Sequence, residues 1–73
     1  MDVAHLVAMA NDIAAFFDAE SGQDGAPESV RSHIARYWEP RMRRAIIEHL
    51  QEKGGEGLTD TARAAVSQLK PPA

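Results

Sequence analysis

Residues 37–44, YWEPRMRR, combine an aromatic pair, a helix-breaking proline and a cluster of arginines. They hold the chain's only Trp, its only Tyr and three of its six Arg residues. Pro40 predicts that one helix ends near Trp38, because the residue before a proline is pushed out of the α region. The same proline suits the first turn of a following helix. The stretch therefore predicts a corner between two helices.

Apolar residues at helical spacing flank this corner on both sides. They predict a helix over residues 27–38, opened by Pro27, and a second over residues 40–53. The expected apolar sides are Val30, Ile34, Tyr37 and Trp38 upstream, and Met42, Ile46, Ile47 and Leu50 downstream.

The N-terminal segment has the clearest helical pattern. Over residues 2–19, apolar residues recur at i, i+3, i+4 and i+7, and Asp2 is placed as the N-cap. Its apolar arc covers roughly half of the circumference, more than an ordinary surface helix shows. The sequence leaves open whether Met9 and Phe16, at one edge of the arc, complete the core or extend a binding surface. The stripe consists of Val3, Leu6, Val7, Ala10, Ile13, Ala14 and Phe17.

The remaining segments are connections and a weaker helix. Residues 20–26 are predicted to be a loop by composition, and Gly54, Gly55 and Gly57 are predicted to end a helix and form a turn. A fourth helix is expected over 59–69, followed by a flexible tail at 70–73. No stretch alternates as a strand does. The fold class is therefore all-α, a small bundle of three to four short helices in a single domain, 1–73.

Composition narrows the function. The chain has 73 residues, no Cys and three His, and none of the histidines falls in a metal-binding spacing. No serine has the context of a catalytic nucleophile. We therefore expect no catalytic, cofactor-binding or metal-binding residue in this chain. Asp2 is the wrong charge for the start of a signal peptide, and no apolar run would span a bilayer, so a cytoplasmic location is expected.

Charge is segregated along the sequence. Residues 1–28 hold six acidic residues and no Lys or Arg, whereas residues 31–44 hold five Arg and one Glu. Two readings of 37–44 remain open at this point. In one, the stretch is only a structural corner whose arginines pair with Asp12, Asp18 or Glu48. In the other, it binds a protein partner, because Trp, Tyr, Met and Arg are enriched at the centres of interfaces.

The partner-binding reading accounts better for arginines at the start of a helix, where the helix dipole disfavours cations. We predict Trp38 as the anchor of the interface. The full predicted set is Tyr37, Trp38, Glu39, Pro40, Arg41, Met42, Arg43 and Arg44. A third hypothesis, a small nucleic-acid-binding regulator, is disfavoured by the net charge of −3 and by the acidic first helix.

Three motifs, in order, resemble the delta subunit of soluble NAD-dependent formate dehydrogenases. They are HLVAMANDIAAFF (5–17), HIARYWEPRMRRAIIEHL (33–50) and GGEGL (54–58). The likeness extends from about residue 3 to residue 66. The matching positions imply structural and contact roles for residues 38–43 and for Gly54, Gly55 and Gly57, and no catalytic role.

This resemblance implies an accessory subunit of a hetero-oligomeric enzyme. In that family the large subunits oxidise formate and reduce NAD. They carry a molybdenum or tungsten bis-pterin guanine dinucleotide centre, iron–sulfur clusters, FMN and the NAD site. The delta subunit is associated with the assembly, stability or activity of the complex. A transient assembly chaperone for the apo-enzyme is the alternative that sequence alone does not separate from a resident subunit.

Overall fold

A computed structural model describes residues 2–72, which form three helices joined by short connections. These are α1 (Val3–Tyr37), α2 (Pro40–Lys53) and α3 (Asp60–Ser67). No strand occurs in this part of the chain, and the all-α prediction is confirmed. Within the same residues, no helix combines the length and apolarity needed to cross a bilayer.

Helix α1 is interrupted at Gly22, where the chain turns back on itself. Gly22 has φ 75° and ψ 163°, a region of backbone conformation that essentially only glycine occupies. A straight helix would separate Phe17 and His33 by about 24 Å at 1.5 Å per residue. Their ring centroids instead lie 6.2 Å apart. The two limbs of α1, residues 3–21 and 23–37, therefore form a helical hairpin.

The predicted loop at 20–26 is thus wrong in extent. Two glycines and the absence of large apolar residues suggested a loop, but a single non-helical glycine makes the reversal. Pro27 lies inside the second limb, five residues after Gly22, and does not open that limb as predicted. The two limbs of the hairpin correspond to the two helices that were predicted at 2–19 and 27–38.

The hydrophobic core draws on every helix. In the first limb the inward positions recur every four residues at Leu6, Ala10 and Ala14, and the two alanines are fully buried. Small side chains at these positions allow α3, which presents Ala62 and Ala65, to lie close to α1. The rest of the buried cluster consists of Val30, Ile34, Trp38, Ile46, Ile47, Leu58, Val66 and Leu69.

Several residues of the predicted apolar stripes lie at the edge of this core. Val7, Met9, Ile13, Phe17, Met42 and Leu50 are half-buried against it. Met9 thus completes the core, whereas Phe16 remains 59% exposed. The predicted burial of Tyr37 is wrong, because its side chain is 67% exposed. The inner face of the second limb runs from Val30 through Ile34 to Trp38 in steps of four, which turns Tyr37 outward.

Helix α3 begins where the sequence predicts and ends earlier than predicted. Thr59 is the N-cap, and its hydroxyl oxygen accepts a hydrogen bond from the Ala62 N–H at 3.2 Å. The helix is shorter than the predicted 59–69, ending at Ser67, while Leu69 still packs into the core. Residues 70–72 are not helical. The flexibility expected of the tail stays a prediction, and Met1 and Ala73 lie outside the described residues.

Candidate docking surface

The corner between α1 and α2 is built as its proline predicts. Trp38 ends α1 in an extended conformation, with φ −82° and ψ 140°, and its N–H donates to the Ile34 carbonyl oxygen at 3.0 Å. Glu39 is the N-cap position of α2, and Pro40 occupies its first turn. The indole of Trp38 points into the core and is 5% exposed. Trp38 was predicted as the anchor of an interface, but this burial leaves little of the indole for a partner to contact.

Arg43 also acts within the chain. Its Nη1 donates to the carbonyl oxygen of Trp38 and, at 3.4 Å, to that of Ala35. The last carbonyls of a helix lack intrahelical partners, and cations near that end are favoured by the helix dipole. Arg43 therefore caps the C-terminus of α1, which explains one of the arginines that the dipole of α2 alone would disfavour.

The rest of 37–44 faces outward. Met42 is half-buried against the core, and five residues are exposed. We call these five the corner surface: Tyr37, Glu39, Pro40, Arg41 and Arg44.

The charges of the corner surface are not neutralised within the described part of the chain. Between residues 2 and 72 the ion pairs are Glu28–Arg31 and Asp60–Arg63, and each joins residues three apart in one helix. The ion pairs with Asp12, Asp18 or Glu48 that the structural-corner reading expects are therefore absent among these residues, whereas the bend at Pro40 and the burial of Trp38, which fit the same reading, are observed. Asp18 instead accepts a hydrogen bond from the Thr61 hydroxyl at 2.7 Å.

The Glu28–Arg31 pair is local and exposed. Arg31 donates two hydrogen bonds to the carboxylate, at 2.6 and 3.2 Å. These hydrogen bonds, and then the charge of Arg31, lower the pKa of Glu28. The charges of Glu28 and Arg31 therefore partly offset each other at this point of the surface.

The glycine turn after α2 is held from three directions by side chains. Asn11, on the first limb of α1, donates to the Gly57 carbonyl oxygen and accepts from the Thr59 N–H, both at 2.9 Å. His49 Nε2 lies 2.8 Å from the Glu56 carbonyl oxygen. Arg63 donates to the carbonyl oxygens of Gly54, at 3.3 Å, and Leu58, at 3.1 Å. These side chains therefore attach the turn to the bundle through hydrogen bonds to backbone groups of the turn.

Glycine is required in this turn for conformation and for space. Gly54, Gly55 and Gly57 all have positive φ, at 66°, 72° and 91°. A Cβ on Gly55 would lie 3.0 Å from Leu50 Cδ1 and 3.1 Å from Leu58 Cδ1, whereas one on Gly54 would meet nothing within 4 Å. The turn therefore has a structural role, which the spacing of its glycines predicted. Asn11, His49 and Arg63 were not predicted as its partners, because only the hairpin and the packing of α3 bring them to it.

A row of aromatic rings runs across the outside of the α1 hairpin and ends at the corner surface. Ring centroids lie 5.1 Å apart for Phe16–Phe17, 6.2 Å for Phe17–His33 and 4.8 Å for His33–Tyr37. We call these four residues the aromatic row. The sequence left the role of Phe16 open, and the contact between the two limbs could not be predicted without the turn at Gly22.

Two open hollows lie along the aromatic row and share Phe17 and His33. The first, of about 410 Å³, is lined by Phe17, Glu28, Ser29, Ser32, His33, Arg36 and Tyr37. The second, of about 330 Å³, is almost wholly apolar and is lined by Asp12, Ile13, Phe16, Phe17 and His33. Because both are lined by Phe17 and His33, they are neighbours, and we call the two hollows together the groove.

Ligands for a metal ion are not gathered anywhere in the described range. Among residues 2–72, no three His, Asp or Glu side chains come together in a way that would hold one. The sequence also has no cysteine to ligate an iron–sulfur cluster.

Comparison with known proteins gives one match. The family model described as "NADH-dependant formate dehydrogenase delta subunit FdsD" matches residues 5–66, from His5 in α1 to Val66 in α3. No curated protein and no solved structure matches the chain significantly.

Proposed function

Because this chain belongs to the family of delta subunits of NADH-dependent formate dehydrogenase, we propose that it is a non-catalytic accessory subunit. It docks on the large subunits of the enzyme in the cytoplasm and supports their assembly, stability or activity. The large subunits carry out formate oxidation coupled to NAD reduction.

The observation that supports docking is the corner surface. Tyr37 is 67% exposed beside Arg41 and Arg44, which have no ion pair among residues 2–72. Even an exposed ion pair contributes only about 0–1 kcal/mol to stability, so the charges of arginines that make no ion pair contribute little to the fold. In an interface, a guanidinium makes bidentate hydrogen bonds to carboxylates or carbonyl groups of the partner. In this proposal the buried Trp38 has an indirect role, because its packing fixes the angle between α1 and α2 and so the orientation of the corner surface.

The cofactors of the enzyme are assigned to the partner subunits in this proposal. These are the molybdenum or tungsten bis-pterin guanine dinucleotide, the iron–sulfur clusters, FMN and NAD. For the iron–sulfur clusters the sequence supports the assignment, because this chain has no cysteine to ligate one.

The proposal is tested by preparing the large subunits with and without this chain. We expect the enzyme that lacks it to keep its KM for formate and its turnover per bound metal. We also expect that enzyme to dissociate at a lower temperature or on dilution, because a subunit that binds only the assembled state stabilises that state by mass action. Thermal shift, gel filtration and formate-dependent NAD reduction measure these properties.

Adding variants of this chain back identifies the surface responsible. Arg41→Glu/Arg44→Glu should fail to restore stability, since it reverses both charges of the corner surface. Lys53→Glu/Lys70→Glu reverses two exposed charges elsewhere and should restore it. A lower turnover per metal in an intact complex that lacks the chain would contradict a non-catalytic role.

A further inference from the structure

The aromatic row is unusual for so small a bundle. Phe16 is 59% exposed and Tyr37 is 67% exposed, and they are the large apolar side chains left open to solvent within residues 2–72. A chain of this length has a small core and gains stability from each aromatic ring that it buries. The rings outside the hairpin are therefore poorly placed for stability and well placed for binding, since exposed aromatic residues that lie together mark interaction sites.

The groove along the aromatic row has a different charge at each end. Asp12 lies at the end formed by Ile13 and Phe16, and Arg36 lies at the end formed by Tyr37. Glu28 also lines the Arg36 end, but its carboxylate is bound by Arg31. Arg36 itself has no ion pair among the described residues. The groove thus has an apolar end, with Asp12 beside it, and a charged end that carries the guanidinium of Arg36.

We propose that this groove binds an apolar segment of a large formate dehydrogenase subunit that carries a carboxylate opposite Arg36. The segment places apolar side chains against Ile13 and Phe16 and along Tyr37. The inference rests on the proposed function, because it takes the partner from there and names the surface that receives it. Tyr37 belongs to both the corner surface and the groove, so a single partner covers the two without a gap.

Two features favour this occupant. The apolar end of the groove is lined almost entirely by carbon, so an apolar side chain fills it without leaving a polar group unpaired. The charged end attracts the opposite sign, and this complementarity orients the segment along the groove. A segment that ran in the reverse direction would place its carboxylate at Asp12 and would be repelled.

The test uses the complete complex, assembled from the large subunits and tagged versions of this chain. Phe16→Ser/Tyr37→Ser should weaken the affinity at least about thirtyfold, the fold-change expected when the anchors of an interface are removed. Gln51→Ser/Gln68→Ser truncates two exposed side chains outside the groove and should leave the affinity unchanged. Because Phe16 and Tyr37 are exposed, circular dichroism should show normal helicity for both variants.

A charge reversal tests the orientation. Arg36→Glu should weaken the affinity about tenfold or more and reduce its salt dependence, whereas Lys70→Glu should change neither. Equal affinity of wild type and Phe16→Ser/Tyr37→Ser would overturn the groove as docking site while leaving the proposed function intact. Failure of the wild-type chain to bind would instead overturn the proposed function. If the double variant only converted a dimer of this chain to a monomer, the occupant would be a second copy and the inference would be wrong.

Discussion

Trp38→Ala is expected to remove a large part of the stability of the isolated chain. The indole is 5% exposed and lies in the core between the end of α1 and the start of α2. Replacing a buried Trp by Ala costs about 3–5 kcal/mol. At about 0.05–0.15 kcal/mol per residue, a domain of this size has only about 4–11 kcal/mol of stability in total. Thermal and urea denaturation followed by circular dichroism measure the loss.

A conservative variant separates packing from partner contact. Trp38→Phe keeps an aromatic ring in the core and should retain helicity, with a smaller fall in the melting temperature. Binding to the large subunits should fall in Trp38→Ala only as far as the folded fraction falls. If Trp38→Ala kept normal helicity and a normal melting temperature but lost affinity, the indole would contact the partner and would not be a core residue.

Gly55→Asn is expected to be the second most damaging of these substitutions. Gly55 is buried at φ 72°, and a Cβ there would lie 3.0 Å from Leu50 and 3.1 Å from Leu58. The left-handed conformation adds up to about 1 kcal/mol even for Asn, and overpacking adds about 1–3 kcal/mol, for a total of about 1–4 kcal/mol. Urea denaturation of the variant and the wild type measures the difference.

Gly54→Asn is the matched control. Gly54 has a similar φ, 66°, but a Cβ there would meet nothing within 4 Å. Asn tolerates the left-handed conformation at a helix C-terminus, so this variant should lose less than about 1 kcal/mol. The difference between the two variants isolates the packing cost at Gly55. Equal losses would show that conformation alone makes this glycine necessary.

The local signals of the sequence anticipated much of the fold. Pro40 placed the corner, because proline constrains its own backbone and that of the residue before it. Positive φ values at Gly54 and Gly55 follow from the glycine pair at the end of a helix. The extent of the connection at 20–26 was not predictable in the same way. Composition indicates that a segment is poorly suited to burial, but it does not indicate that Gly22 alone makes the reversal.

Long-range contacts account for what was missed. Arg43 caps α1 from the neighbouring helix, a contact that was not predicted, and its role in binding a partner stays a prediction. The contact of Phe17 with His33 depends on the return of α1 at Gly22. Neither contact could be predicted from local periodicity.

The central claim is that this chain is a resident docking subunit, and the stoichiometry of the native complex tests it most directly. The chain is tagged at its C-terminus, expressed with the large subunits and recovered under native conditions. Native mass spectrometry then measures its copies per large subunit, and the same eluate is assayed for formate-dependent NAD reduction. We expect a fixed, stoichiometric ratio of this chain to the large subunits in active enzyme. Recovery only with inactive, metal-free large subunits would contradict it and indicate a transient assembly chaperone.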